Sequence, residues 1–320
     1  MKIAVMDDYQ DAFRKVKAFP KLAGHEVVVY TDTEKDPEKL ATRLKDADAV
    51  VLTQQRSRFP RAVIERLPNL KLISQTGRNA NHIDLAACAE RGIVVSAGGG
   101  GGSSPTAELT WALILAHFRH IPEEVQRMKD GKWQATLGVG VQGKTLAIYA
   151  YGRIGSVVAN VGRAFGMKVI CFGREGSTSR ARDAGFETTM DRKTFFESAD
   201  IVSIHLPLNK DTRGIVTAED LARMKPTALF VNTSRAPIVQ EGALVAALKK
   251  GRPGHAAVDV YEDEPVLDAN HPLVVMRNVT CTPHLGYVEE RNYEAIYGTA
   301  VEQLLAFAAG KPINVATADK

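Results

Sequence analysis

Short apolar, β-branched runs alternate with longer amphipathic stretches along this chain, over residues 2–96 and again from residue 145. In the first stretch the pattern predicts strands at Lys2–Met6, Glu26–Tyr30, Ala49–Leu52, Leu70–Gln75 and Ile93–Ser96. Helices are predicted between them. One is Pro37–Lys45, with Asp36 as N-cap and Pro37 in the first helical position; another is Ile83–Arg91, closed by Gly92. The second stretch predicts strands at Thr145–Ala150, Lys168–Phe172, Ile201–His205, Ala228–Asn232, His255–Val260 and Asn278–Cys281, about six in all. Alternation of this kind implies right-handed crossovers, so the expected fold class is α/β with two doubly wound parallel sheets. A last helix over Tyr287–Ala309, stopped by Gly310 and Pro312, is placed to fold back onto the first domain.

Between the two stretches Ala97–Ser104 reads AGGGGGSS. Glycines in sequence lose too much entropy in a regular element, so the run is a linker, a hinge or a loop of close approach, a flexible tether being the plainest of these. Pro105 then opens an apolar helix over Leu109–Arg119, with Ser103 or Ser104 as N-cap. The 320 residues are 45% hydrophobic and 24% charged, a globular mixture that excludes disordered and fibrous classes. Lysine and arginine exceed the acids by 41 − 37 = 4, spread thinly, so no nucleic-acid partner is expected. The longest apolar stretch, Leu109–Phe118, is too short for a membrane span, and the start MKIAVMDD is no secretory leader. Cys88, Cys171 and Cys281 stand far apart in apolar segments. They read as buried thiols of a cytoplasmic protein, with neither disulfide framework nor metal spacing.

Candidate chemistry begins at Ala150-Tyr151-Gly152-Arg153-Ile154-Gly155, where a strand runs directly into a helix. This is the dinucleotide turn G-x-G-x-x-G with alanine at its first glycine. The second glycine admits a pyrophosphate, the third allows close helix–strand packing, and the helix N-terminus attracts the phosphates. Ala150 adds one methyl, tolerable if its φ is negative. The next strand ends Phe172-Gly173-Arg174-Glu175, with glycine where a carboxylate for the ribose 2′-hydroxyl of NAD is expected. Arg174 suits a 2′-phosphate and inclines the reading towards NADP, whereas Glu175 argues for NAD.

Ligands of open α/β sheets bind at the carboxyl ends of the strands. There stand Asn232-Thr233-Ser234-Arg235, Asp259 and Glu264 in AAVDVYEDEP, Pro283-His284 in CTPHLGY, and His205 ahead of Leu206-Pro207-Leu208. Each alone has an ordinary structural reading as an ion-paired, loop or capping residue. Together they offer a cation, a carboxylate and an imidazole, the set needed for hydride transfer to a 2-keto acid.

The blocks YGRIG, NTSRAPIVQEGAL, AAVDVYEDEP and TPHLGY, in that order, resemble those of the D-isomer-specific 2-hydroxyacid dehydrogenases, a family that includes phosphoglycerate dehydrogenase and glyoxylate/hydroxypyruvate reductases. The resemblance spans essentially the whole chain. It implies two Rossmann-like domains, an NAD(P)-binding domain at 104–286 inserted into a substrate domain made of 1–103 and 287–320. By motif, Arg235 is similar to the arginine that binds substrate and polarises its carbonyl, Glu264 to the carboxylate paired with the catalytic histidine, and His284 to the acid/base. Tyr151, Gly152, Arg153, Ile154 and Gly155 correspond to the pyrophosphate turn. Arg174, His205, Pro207, Thr212, Thr233, Ser234, Asp259 and Gly286 complete the candidate cofactor contacts. Thr76–Asp84 occupies the substrate loop, whose backbone amides hold the substrate carboxylate, with Arg78 and Asn79 in place of small residues. Arg56, Arg58 and Tyr287 are candidates for meeting the substrate side chain, solvated loop positions being the plain alternative for the first two.

Departures from the pattern are Ala150, Ala236 for glycine and Gln240 for aspartate; none removes a catalytic group. The Glu264–His284 pair separates the chain from the formate dehydrogenase branch, which carries glutamine for the glutamate. A carboxylate beside His284 is expected to favour its protonated form, which suits keto-acid reduction. The region of Trp111 and Trp133 resembles the arm that pairs two subunits, so a homodimer is expected. The rival reading is a non-catalytic NAD(P)-sensing scaffold on the same fold, or a dehydrogenase of another small acid.

Overall fold

The computed structural model describes residues 1–317 and divides into two compact units, Met1–Gly102 with the segment from Val288, and Ser103–Tyr287. In the first, β1 (Lys2–Met6), β2 (Glu26–Val29), β3 (Ala49–Leu52), β4 (Leu72–Thr76) and β5 (Val94–Gly98) form one parallel sheet in the order β2-β1-β3-β4-β5. β3 and β4 are buried at every position, as a parallel sheet covered on both faces requires. Helix Pro37–Leu44 starts where Asp36 accepts hydrogen bonds from the amides of Glu38 and Lys39, at 2.9 and 3.1 Å. It buries Leu40, Ala41 and Leu44 against Val50, Leu52 and Val63. Helix Glu290–Ala308, capped by Glu289, belongs to this unit and packs over β4 and β5. Its Tyr297 is fully buried, edge-on to Phe13 with ring centroids 5.2 Å apart. Helix Leu85–Glu90 begins two residues later than expected because Asp84 is spent as its cap.

The second unit carries β6 (Thr145–Tyr149), β7 (Lys168–Phe172), β8 (Glu187–Thr188), β9 (Ile201–Ile204), β10 (Leu229–Asn232), β11 (His255–Val258) and β12 (Val279–Cys281). All are parallel, in the order β12-β11-β10-β9-β6-β7-β8. The order reverses between β6 and β9, the place where doubly wound sheets bind their ligands. Seven strands replace the six expected. The extra strand, β8, is a two-residue edge of Glu and Thr, with no apolar run to announce it. Helix Ile121–Lys129 was not expected either; it buries no residue, so no periodic apolar face marks it. Ser103 does precede helix Ser104–Phe118, but its side chain makes no capping bond. Among the described residues no helix is long and apolar enough to cross a membrane.

The glycine run is a packed segment, against the tether reading. Gly98 ends β5, and a Cβ there would overlap Asn314. Gly99 has φ +81°, and its Cβ would lie 2.9 Å from Thr299 Cβ on helix Glu290–Ala308. Gly101 meets Asn292 of the same helix, whereas Gly100 faces open space. Sterics therefore require glycine at Gly98, Gly99 and Gly101 but not at Gly100. We expect Gly99→Ala to cost about 2 kcal/mol in chemical denaturation, from left-handed strain plus the Thr299 overlap. Gly100→Ala should change stability by less than about 0.5 kcal/mol. Equal effects at the two positions would contradict this packing.

Candidate active site

The turn after β6 has the geometry a dinucleotide needs. Gly152 caps helix Arg153–Ala164 in extended conformation, with no side chain on the free amides of the helix's first turn. A Cβ on Gly152 would meet nothing within 4 Å, which leaves room at the helix end for a phosphate. Gly155 is the close-packing glycine, since a Cβ there would run into the Ala150 carbonyl oxygen. Ala150 departs from expectation: its φ is +77°, in the left-handed region that favours glycine. Tyr151 also departs, because its ring turns into the core against Phe186, and only its backbone borders the turn.

A cleft of about 700 Å³ opens beside this turn. Ala150, Gly152, Gly173, Arg174, Ser177 and Arg180 line one side, and His205, Leu206, Pro207 and Thr212 the other. Ser177 Oγ accepts the Tyr151 amide at 2.7 Å, and Arg180 donates to the Tyr151 carbonyl at 3.2 Å, so helix Glu175–Asp183 braces the glycine turn. Glu175 is drawn away into an ion pair with Arg182. Among the described residues the lining carboxylate is Asp211. His205 bonds Ser203 Oγ through Nε2 at 2.9 Å. Burial lowers its pKa to about 4, so the cleft holds a neutral imidazole at pH 7. The Thr212 hydroxyl donates to the Pro207 carbonyl at 2.6 Å, fixing that wall.

The remaining candidates of this unit follow β10, β11 and β12. Arg235 lies beyond β10 in a turn that Asn232 ties from both sides, bonding the Ser234 amide and the Arg235 carbonyl, each at 3.0 Å. Ser234 Oγ bonds the Ile204 carbonyl at 3.0 Å, and Thr233 Oγ1 lies 2.8 Å from Thr110 Oγ1. Asp259, fully buried, accepts from Thr282 Oγ1 at 2.6 Å and from the amides of Leu285 and Gly286 at 2.7 and 2.8 Å. Burial, with a smaller push from the Glu264 charge, raises its pKa to about 6 against those three donors. Asp259 thus pins the loop on which His284 stands, and His284 has φ +53°. His284 Nδ1 lies 2.6 Å from Glu264 Oε2, while Glu264 Oε1 accepts the Tyr261 amide at 2.9 Å. The pair is mostly buried, with side chains 15% and 18% exposed. The carboxylate thus holds the Nδ1 side of the ring and leaves Nε2 pointing away from Glu264.

In the first unit, Arg78 and Asn79 are exposed on the loop after β4. The amides of Arg78, Asn79 and Ala80 donate to no protein acceptor among the described residues. Sequence reasoning missed Ser177, Arg180, Thr106 and Thr110. Thr106 Oγ1 bonds the Gly286 carbonyl at 2.8 Å, and Thr110 meets Thr233, so one helix steadies two of the functional loops. Hydroxyls and a second arginine carry no motif of their own; only the fold brings them to the site.

Ala150→Gly should relieve the left-handed strain at the turn. The expected gain is about 1 kcal/mol in stability, the removed strain less glycine's extra unfolded-state entropy. Thermal denaturation checks it, with Tm rising by roughly 2–4 °C. A fall in Tm would mean that Ala150 sits without strain.

The profile of the family described as D-isomer specific 2-hydroxyacid dehydrogenase, NAD binding domain, matches residues 111–286. The chain is 37% identical over 297 residues to a glyoxylate reductase of Aeropyrum pernix, covering 90% of this chain and 88% of that one. It is 36% identical over 288 residues to a D-3-phosphoglycerate dehydrogenase of Methanocaldococcus jannaschii, spanning 89% of this chain and 54% of that longer protein. A solved structure described as phosphoglycerate oxidoreductase, from Vibrio cholerae, superposes with a TM-score of 0.93 at 45% identity, covering 97% and 99% of the two chains. With that match of sequence and fold over nearly its whole length, the chain belongs to the D-isomer specific 2-hydroxyacid dehydrogenase family.

Proposed function

We propose that this enzyme reduces a small 2-keto acid to the D-2-hydroxy acid with NADPH, and runs the reverse oxidation when the ratio of substrates favours it. The observation that carries the reading is the 2.6 Å Glu264–His284 pair on the same sheet edge as an uncapped helix end behind Gly152. A bound nicotinamide cofactor supplies the hydride that reaches the carbonyl carbon. The Arg153 and Ile154 amides hold its pyrophosphate, with Thr233, Ser234 and Gly286 bordering the nicotinamide end. Asp259 serves there indirectly, as the anchor of the His284 loop. The amides around Arg78 and Asn79 hold the substrate carboxylate. Arg235 pairs with that carboxylate and polarises the ketone. His284 Nε2 donates a proton to the carbonyl oxygen as it becomes an alkoxide, and Glu264 fixes the ring and stabilises its charged form.

The preference for NADPH rests on the cleft beyond β7. Arg174 and Arg180 face it with no carboxylate partner among the described residues, Glu175 is occupied by Arg182, and Ser177 adds a hydroxyl. Two guanidiniums there match a 2′-phosphate better than a free ribose hydroxyl. Subunit pairing is the second part of the reading. Helix Ile121–Lys129 and the arm after it expose Ile121, Val125 and Met128 together with Trp133 and Leu137, which are 74% and 92% exposed. An apolar patch of this kind fits a two-fold partner of the same chain. Three free thiols, two of them buried, fit a reducing cytoplasm.

Oxidation of NADPH and NADH with glyoxylate, hydroxypyruvate and pyruvate tests the activity. Arg235→Ala should lower kcat/KM at least a hundredfold, about 2.7 kcal/mol of lost transition-state stabilisation. A loss below tenfold would remove Arg235 from its role. The wild-type enzyme should prefer NADPH, and Arg174→Ala should raise KM for NADPH roughly tenfold while leaving KM for NADH nearly unchanged. Wild-type preference for NADH would overturn the 2′-phosphate assignment.

A further inference from the structure

Beyond β11 the chain reads Asp259-Val260-Tyr261, and both outer residues reach the loop that carries His284. Asp259 takes the loop's hydroxyl and two of its amides; Tyr261 takes a carbonyl. The Tyr261 phenol donates to the Thr282 carbonyl at 3.0 Å, and the same oxygen accepts the His284 amide at 3.0 Å. The Thr282 amide donates to the Val258 carbonyl at 3.0 Å and its hydroxyl to Asp259 at 2.6 Å, so each polar group of Thr282 is bonded. Tyr261 acts on Glu264 as well. Its backbone amide donates to Glu264 Oε1 at 2.9 Å, while Glu264 Oε2 lies 2.6 Å from His284 Nδ1. One residue thereby joins both members of the pair, the carboxylate through its amide and the turn before the imidazole through its side chain. The Tyr261 ring is buried in the core of the second unit, edge-on to His271 with centroids 5.3 Å apart. Burial, then the neighbouring Cys281 thiol and the charges of Asp259 and Glu264, push the phenol above its ordinary range, so its O–H remains a donor at neutral and mildly alkaline pH. His284 itself faces Glu264 at Nδ1 and the Tyr287 ring, edge-on at 5.7 Å.

A proton donor works only where it is held, and a displacement of about 1 Å can cost roughly a hundredfold in rate. His284 has φ +53°, a conformation that lasts while its surroundings enforce it. We infer that Tyr261 is a positioning residue for the proton transfer: its hydroxyl fixes the Thr282–His284 turn to the same segment whose amide fixes Glu264, which keeps Nδ1 on the carboxylate. The inference rests on the keto-acid reductase reading given above. Without the hydroxyl, the Thr282 carbonyl keeps the His284 amide alone, and the turn is free to move relative to Glu264. A looser carboxylate contact favours the imidazolium less, so the ring gives up its proton at lower pH. Keto-acid reduction needs that proton, and its alkaline limb moves down with it.

Tyr261→Phe tests this, because it removes the hydroxyl and leaves the ring in its packing. Rates of glyoxylate and hydroxypyruvate reduction are followed from about pH 6 to about pH 9.5, beside the wild-type enzyme. The variant should lose roughly tenfold in kcat, and its alkaline limb should fall by about half a pH unit, with KM for the cofactor changed less than about twofold. Tyr297→Phe is the control for a purely structural loss: it removes another buried hydroxyl, 3.0 Å from Thr53 Oγ1 in the first unit, and should leave the limb in place. A Tyr261→Phe profile that superposes on wild type, or the same displacement in Tyr297→Phe, would overturn the inference. Carbon-13 NMR of histidine-labelled protein reads the imidazole without turnover, the His284 signal being assigned by its disappearance in His284→Gln. Titration of His284 at lower pH in Tyr261→Phe, in a protein that reduces no keto acid, would keep the positioning role and discard the reductase reading. Reduction of a keto acid with the His284 titration unmoved by Tyr261→Phe would keep the reductase and overturn the positioning role.

Discussion

A carboxylate sealed from solvent, Asp259, holds the end of β11 to the loop that carries His284. Its oxygens take the Thr282 hydroxyl and the amides of Leu285 and Gly286, while β11 itself is fixed between β10 and β12 in the sheet. Burying that charge is costly, as its raised pKa shows, and three donors offset the cost. What results is a short rigid link from strand to loop. His284 can then occupy a left-handed conformation and present Nδ1 to Glu264, whose other oxygen is tied to the Tyr261 amide. Strain at a functional position persists only where its surroundings over-determine it, and here they do.

The same edge of the second sheet divides its work by strand. β6 and β7 end in glycines, an uncapped helix and two guanidiniums, which is a surface for phosphates. β10, β11 and β12 end in Arg235, Asp259 with Glu264, and His284, the groups to which the proposed function assigns proton transfer beside a carbonyl. Between them His205 stays neutral because it is buried, so it adds no charge to the phosphate side. Helix Ser104–Phe118 joins the two halves through Thr106 and Thr110, and its Trp111 indole donates to the Val158 carbonyl of the dinucleotide helix at 3.2 Å.

Most of the fold was legible because parallel strands buried on both faces leave long apolar runs, and the candidate polar groups stand just after them. The strand cores, the Asp36 cap, the glycine turn and the strand-end residues all follow from local pattern. The parts that were not legible share one cause: their meaning depends on what lies across space. Ala150 is an ordinary residue until its φ is known. Gly98–Gly101 read as slack until Thr299 and Asn292 stand against them. Glu175 argues for NAD until Arg182 takes it. β8, two polar residues long, has no pattern to detect, and helix Ile121–Lys129 buries nothing within the chain.

The most direct test of hydride transfer at this site follows the hydride itself. With NADPH deuterated on the transferred position of the nicotinamide, and a 2-keto acid in ordinary water, mass spectrometry of the product locates the label. The account predicts one deuterium at C2 of the D-2-hydroxy acid, with the hydroxyl proton drawn from solvent through His284. Product carrying no deuterium at C2, or cofactor bound tightly with no keto acid reduced, would contradict it.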